Sequence, residues 1–177
     1  LDFLSTNQTL LPFVAFLFGG LFGLFEDILE IYPRLIKRFS HGLDDKYLIG
    51  VVVLFATIFA YWFFVKLDMH SIYIPFVGAL DIGWGFIPLV IVVILGTFSS
   101  RVIDGIDGLA GGVMGIIYGA FGFIALGQMQ LDIATLCFVV AGALLAFLWF
   151  NVPPARFYMG ETGMMALTLL LSVIVIL

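Results

Sequence analysis

The sequence predicts an all-α, polytopic membrane protein with six transmembrane helices, and three observations carry that prediction. Of 177 residues, 63% are hydrophobic and only 11% are charged, too little polar surface to cover a water-soluble globule. Mean hydropathy is +1.24. Charge is also kept out of six runs close to the length a helix needs to cross a hydrocarbon core of about 30 Å. These runs are Leu10 to Phe25, Tyr47 to Val65, Ile82 to Phe98, Leu109 to Leu126, Ile133 to Phe150 and Gly163 to Leu177. None alternates as a strand does, and backbone in lipid must bond internally, so each reads as a helix. A disordered tail, a disulfide scaffold built on the single Cys137, and a soluble nucleic-acid binder of net charge -5 are excluded. The first run lacks the basic flank of a signal peptide. The chain opens at Leu1 without methionine and its last run has no polar flank, so residues 1–177 read as one transmembrane domain cut from something longer.

Lysine and arginine near helix ends favour the cytoplasmic side. Arg34, Lys37, Arg38 and Lys46 lie between the first two runs, Arg101 between the third and fourth, and Arg156 between the fifth and sixth; Lys66 alone falls opposite. Both ends are therefore expected outside, with three cytoplasmic loops. Glu30 to Lys46 spaces apolar residues helically among cations, as an amphipathic segment on an anionic leaflet or a solvated loop would. Ser71 to Phe76 alternates and is expected to pair as a short hairpin with the stretch before Asp81. Gly111, Gly115 and Gly119 repeat every fourth residue of the fourth run, a spacing that lets a neighbouring backbone approach.

The acids on the expected cytoplasmic side invite a shared explanation, because carboxylates at a membrane boundary are costly unless hydrated, paired or bound to a cation. Glu26 and Asp27 are expected to end the first helix. Asp104 and Asp107, three apart in Asp-Gly-Ile-Asp-Gly, share a helical face if the fourth helix has begun there. Glu161 opens the sixth helix. Hard oxygens from several helices suit Mg²⁺, and plain helix caps suit the same positions. Spacing alone leaves both open.

Two stretches go further. Residues 104–112, Asp-Gly-Ile-Asp-Gly-Leu-Ala-Gly-Gly, and residues 150–163, Phe-Asn-Val-Pro-Pro-Ala-Arg-Phe-Tyr-Met-Gly-Glu-Thr-Gly, resemble signature loops of the polyprenyl-phosphate N-acetylhexosamine-1-phosphate transferases. Gly23-Leu24-Phe25-Glu26-Asp27 resembles a third signature, and Ile74-Pro75-Phe76 with Asp81-Ile82-Gly83-Trp84 resembles that family's external hairpin and the helix after it. Within the family, the second stretch looks most like the branch that performs the first membrane step of peptidoglycan synthesis. The resemblance covers nearly the whole chain and implies the middle of a fold of about ten helices. Glu26 and Glu161 stand where aspartate is usual, Glu30 where lysine is common, and Arg101 where asparagine is usual. His41 and His70 read as plain polar residues, not as the family's late histidine-rich loop.

The resemblance also implies roles. Glu161 is the main Mg²⁺ ligand, with Glu26 and Asp27 near the metal and the attacking lipid phosphate. Asp104 and Asp107 line the nucleotide-sugar site, Asn151 bonds the substrate, and Tyr158 offers a ring for uracil. Plain readings stay beside these: Asn151 as a helix C-cap before Pro153, and Tyr158 as an interfacial anchor. The implied reaction moves a phospho-sugar from a UDP-sugar, UDP-N-acetylmuramoyl-pentapeptide or a related one, to polyprenyl (undecaprenyl) phosphate and releases UMP. The implied place is the bacterial plasma membrane with the site facing the cytoplasm, and a homodimer is left open. Arg101 motivates a second expectation, a non-catalytic relative that binds nucleotide-sugar or acts as a scaffold. A transporter is the weakest reading, since the acids gather at one face and not at mid-membrane.

Overall fold

The computed structural model describes residues 7–31, 45–66, 71–74 and 78–177. In chain order it contains α1 (Asn7–Ile31), α2 (Asp45–Lys66), the strands β1 (Ser71–Ile74) and β2 (Gly78–Asp81), α3 (Phe86–Ser99), α4 (Leu109–Gly127), α5 (Leu131–Asn151) and α6 (Gly160–Ile176). Short 3-10 turns at Gly83–Gly85 and Ser100–Gly105 flank α3. The chain is a multi-pass membrane protein: among the described residues five spans, beginning at Leu10, Lys46, Gly83, Leu109 and Leu131, are long and apolar enough to cross a bilayer. α6 is an apolar helix of 17 residues, about 26 Å at 1.5 Å per residue. The expected hairpin is present, antiparallel, with Ser71 opposite Asp81 and Ile74 opposite Gly78. The centre of the Glu30 to Lys46 segment, together with His41 and His70, lies outside the described residues.

The chain divides into two compact units, one of Leu43–Ser99 and one of Leu1–Gly42 with Ser100–Leu177. In the first of these, α2 packs on α3, burying Phe55, Phe59 and Phe63 of α2 and Val90, Ile94 and Phe98 of α3. The other unit holds every residue of the candidate site, and its organising element is α6. Every residue from Met164 through Ile174 is buried, the signature of a helix enclosed by its neighbours. Two hydroxyls inside that stretch bond back to the helix, Thr168 to the Met164 carbonyl at 2.8 Å and Ser172 to that of Leu169 at 2.7 Å, which removes the cost of an unpaired polar group in an apolar surrounding. From α4, the buried Tyr118 hydroxyl donates to the Leu167 carbonyl at 2.6 Å.

Helices in lipid associate through close packing, since lipid is as apolar as leucine. α1 meets α6 along Ala15, Gly19, Gly23 and Asp27, one residue every fourth position on one face. A Cβ on Gly19 would come 2.5 Å from the Met165 carbonyl oxygen, and one on Gly23 would strike the Glu161 carbonyl and lie 2.7 Å from the Thr162 Cα. The two backbones touch there, and only glycine fits. On α4, by contrast, the expected glycine stripe is used unevenly: a Cβ on Gly111 would sit 3.0 Å from the Phe147 ring of α5, whereas Gly119 faces open space.

Two boundaries differ from expectation. α1 does not end at Glu26 and Asp27 but continues to Ile31, because Asp27 finds its partners on another helix. Asp104 and Asp107 do not share a helical face: Asp104 lies in the 3-10 turn, Asp107 in the bend after it, and α4 starts only at Leu109. Gly108, at φ +76°, breaks the helical path between Asp107 and α4.

Gly19→Ala is expected to destabilise the protein by about 1–3 kcal/mol through overpacking, despite alanine's better helix propensity. Gly20→Ala, whose Cβ would sit an ordinary 3.7 Å from Ala166, is expected to be neutral or stabilising. Thermal unfolding of the two variants in the same detergent checks the contrast.

Candidate active site at the start of α6

The first four amides of a helix have no partner within it, and α6 opens on Met159, a residue with no capping group. The caps come from far along the chain. Asp27 of α1 accepts the Glu161 amide at 3.1 Å and the Thr162 amide at 3.0 Å, and the Thr162 hydroxyl also donates to it. Asp104 accepts the Gly160 amide at 2.9 Å. Three of the four open amides therefore meet carboxylates from two other elements, where the positive end of the helix dipole favours them. Gly160 sits at φ +70°, and a Cβ there would come 3.3 Å from an Asp27 oxygen. Both the backbone conformation and the carboxylate demand glycine at this position.

A second cluster closes the connection from α5 to α6. Asn151, the last residue of α5, is 1% exposed. Its carbonyl oxygen accepts the Gly108 amide at 2.9 Å and its amide donates to the Phe157 carbonyl at 3.0 Å. Asp107 accepts the Ala155 amide at 3.1 Å and the Tyr158 hydroxyl. The Tyr158 hydroxyl, followed by the Ala155 amide, holds the Asp107 carboxyl below its usual range, and the same carboxylate raises the Tyr158 phenol. The Tyr158 ring is half exposed. Phe157 stacks on Phe150 and meets Phe147 edge-on.

Thus Asp27, Asp104, Asp107, Asn151, Tyr158 and Glu161 gather around one connection, from four separate stretches of chain. Glu161 stands in the first turn of α6 and is partly buried; Glu26, beside Asp27 on α1, is 6% exposed. The structure gives Asn151 protein partners at both ends of its amide, so the C-terminal tie and the substrate contact expected of it compete for the same atoms. Sequence reasoning missed Thr162, Ala155 and the backbone of residues 160–162. The four-residue spacing of Gly19, Gly23 and Asp27 was a signal for the α6 residues, and Ala155 had none.

Among the described residues, no three His, Cys, Asp or Glu side chains are grouped to form a metal cage. The donor set does fit a hard divalent cation held by one or two carboxylates, with waters and phosphate oxygens completing the shell. Asp104 supports that fit, since its Oδ1 is buried and accepts no hydrogen bond.

Beside the same turn opens an apolar groove of about 610 Å³ between α1, α5 and α6. Met159, Thr162 and Gly163 line it next to the carboxylates, and Ala143, Ala166 and Leu170 line it farther away.

The sequence profile described as Glycosyl transferase family 4 matches residues 9–177. Phospho-N-acetylmuramoyl-pentapeptide-transferase of Listeria innocua serovar 6a is 34% identical over 173 residues, covering 94% of this chain and 52% of that protein. The proteins of the same name from Bacillus anthracis and Listeria monocytogenes serovar 1/2a are each 36% identical, over 93% and 90% of this chain and 50% and 48% of their own lengths. The chain spans about half the length of the curated relatives it matches.

The opposed shifts of Asp107 and Tyr158 set a pH window. A depressed carboxyl contributes stability above its unfolded pKa and loses it as pH falls through the folded one; a raised phenol contributes below its unfolded pKa and loses it as pH rises through the folded one. Limited proteolysis of the 152–159 connection is expected to be slowest between the two ranges. Tyr158→Phe is expected to move the Asp107 titration back up, as read by carboxyl-resolved NMR.

Proposed function

This chain belongs to glycosyl transferase family 4, and from that premise we propose that it forms the catalytic middle of a phospho-sugar transferase. The enzyme moves phospho-N-acetylmuramoyl-pentapeptide, or a related phospho-sugar, from its UDP carrier to polyprenyl phosphate at the cytoplasmic face of the bacterial plasma membrane. The observation that carries this reading is the meeting of carboxylates from α1 and the 3-10 turn at the first turn of α6, at the mouth of an apolar groove. A lipid with a charged head and an oil-soluble tail needs both surfaces side by side.

In the reaction, an oxygen of the lipid phosphate attacks the sugar-linked phosphorus while the bond from that phosphorus to UMP breaks. The electron pair of that bond leaves on the phosphate oxygen of UMP, so no proton need be delivered to the leaving group. The amides of Gly160, Glu161 and Thr162 are already taken by Asp27 and Asp104, so the start of α6 is not a free phosphate cradle. Diphosphate approaching Asp104 and Glu161 meets like charge, and Mg²⁺ supplies the missing positive charge when bound. Glu161, together with the unbonded Oδ1 of Asp104, is assigned to hold it. Tyr158, its hydroxyl tied to Asp107, presents a ring of fixed tilt as a stacking surface for the uracil base. The groove between α1, α5 and α6 receives the first isoprene units. It runs from Thr162 to Leu170, about 12 Å at 1.5 Å per residue.

A non-catalytic scaffold is not favoured, because the matched relatives are named as transferases.

The test is UMP release from the UDP-sugar in the presence of polyprenyl phosphate and Mg²⁺. Glu161→Gln, which removes charge at nearly constant volume, is expected to abolish release without changing the melting temperature. Ala143→Phe, which fills the groove, is expected to raise KM for polyprenyl phosphate about tenfold, the equivalent of 1.4 kcal/mol, and to leave KM for the UDP-sugar unchanged. Equal effects on both substrates would remove the groove from the lipid's path.

A further inference from the structure

The resemblance at residues 23–27 places Asp27 next to metal and lipid phosphate, yet its oxygens are otherwise engaged. Oδ1 accepts the Glu161 amide, and Oδ2 accepts both the amide and the hydroxyl of Thr162. A carboxylate offers about four lone-pair sites, and three are spent on the first turn of one helix. Rotating Asp27 toward another ligand would strip two amides and a hydroxyl at once, in a layer where an unpaired polar group is costly. The main chain of α1 is already in contact with that turn, since Gly23 lies directly against Glu161 and Thr162, one helical turn before Asp27. Met159 offers no local substitute cap.

Resting on the transferase reading, we propose that Asp27 is a positioning residue, not a ligand of metal or substrate. From α1 it fixes the main chain of Glu161, with Thr162 as its partner, and so sets where the Glu161 carboxylate points. The glycines at 19 and 23 set the distance at which this cap works. Thr162 is the second member of the device: its amide and its hydroxyl converge on one oxygen of Asp27.

The experiment is a double-mutant cycle on the full chain in membranes, with Asp27→Ala, Asp27→Asn, Thr162→Val and the Asp27→Ala/Thr162→Val pair. It reads kcat and KM for UMP release together with hydrogen exchange of the amides of residues 160–163. Loss of a helix cap corresponds to about 2- to 30-fold. Asp27→Ala is expected near the upper end in kcat. Asp27→Asn, which keeps one acceptor, and Thr162→Val are expected near the lower end, and both KM values are expected to stay within about twofold. The pair is expected to be no worse than Asp27→Ala alone, because both changes remove the same contact. Exchange at 161 and 162 is expected to rise in every variant, most in Asp27→Ala. Asp27→Asn as inactive as Asp27→Ala with exchange unchanged would overturn the proposal, since the charge itself would then be acting on the reacting groups. Fully additive losses in the pair would overturn it too. If the wild-type chain released no UMP, the transferase reading would fall and the exchange data alone would decide the cap. Faster exchange at 161 and 162 would sustain it, and unchanged exchange would reject it.

Discussion

The capping of α6 by two distant carboxylates is the interaction on which the rest of the site depends. A helix that begins on Met159-Gly160 has no local means of satisfying its first amides, and at a membrane boundary those amides cannot be left to chance. Asp27 and Asp104 answer the need from positions 134 and 56 residues away. In doing so they bring α1, the 3-10 turn and α6 to a single point. The carboxylate layer is thus a product of folding in its own right. Its negative charge is stabilised by the helix dipole, and one oxygen of Asp104 is left over for something else.

The two clusters divide the work. The first, Asp27 with Asp104, fixes where Glu161 stands. The second, Asn151 with Asp107 and Tyr158, fixes the path of the connection that carries the aromatic ring. They share the Ser100–Gly108 stretch, since Asp104 serves one and Asp107 the other. A change in that stretch is felt by both.

Much of the architecture was legible in the sequence because charge is so sparse: runs free of it located all six helices, and the alternation at Ser71–Ile74 located the hairpin. Helix ends were less legible, because Glu26 and Asp27 look like a terminus to any rule that treats charge as the edge of lipid. Here the Asp27 carboxylate is hydrogen-bonded by two amides and a hydroxyl of α6, so α1 runs on to Ile31. Glycine spacing was legible only as a capacity for close approach. Gly111 uses that capacity, Gly119 does not, and the pair that brings two backbones into contact, Gly19 and Gly23, was passed over. The acids of the site could be named from their motifs, whereas their partners could not. Ala155 and Thr162 matter through a main-chain amide or a hydroxyl, and nothing in a residue's type announces that it will meet a carboxylate 48 or 135 positions away.

α6 is pinned at three heights: by the two aspartates at its first turn, by Gly19 against Met165 one turn deeper, and by the Tyr118 hydroxyl at Leu167. A post fixed at three levels can neither slide nor swivel without breaking one of them. The mostly exposed chain of residues 152–158 is held from its own side, by Asp107 at Ala155 and Tyr158 and by Asn151 at Phe157. A single glycine, Gly160, therefore joins two separately anchored pieces, one tied by Asp27 and Asp104 and the other by Asp107 and Asn151.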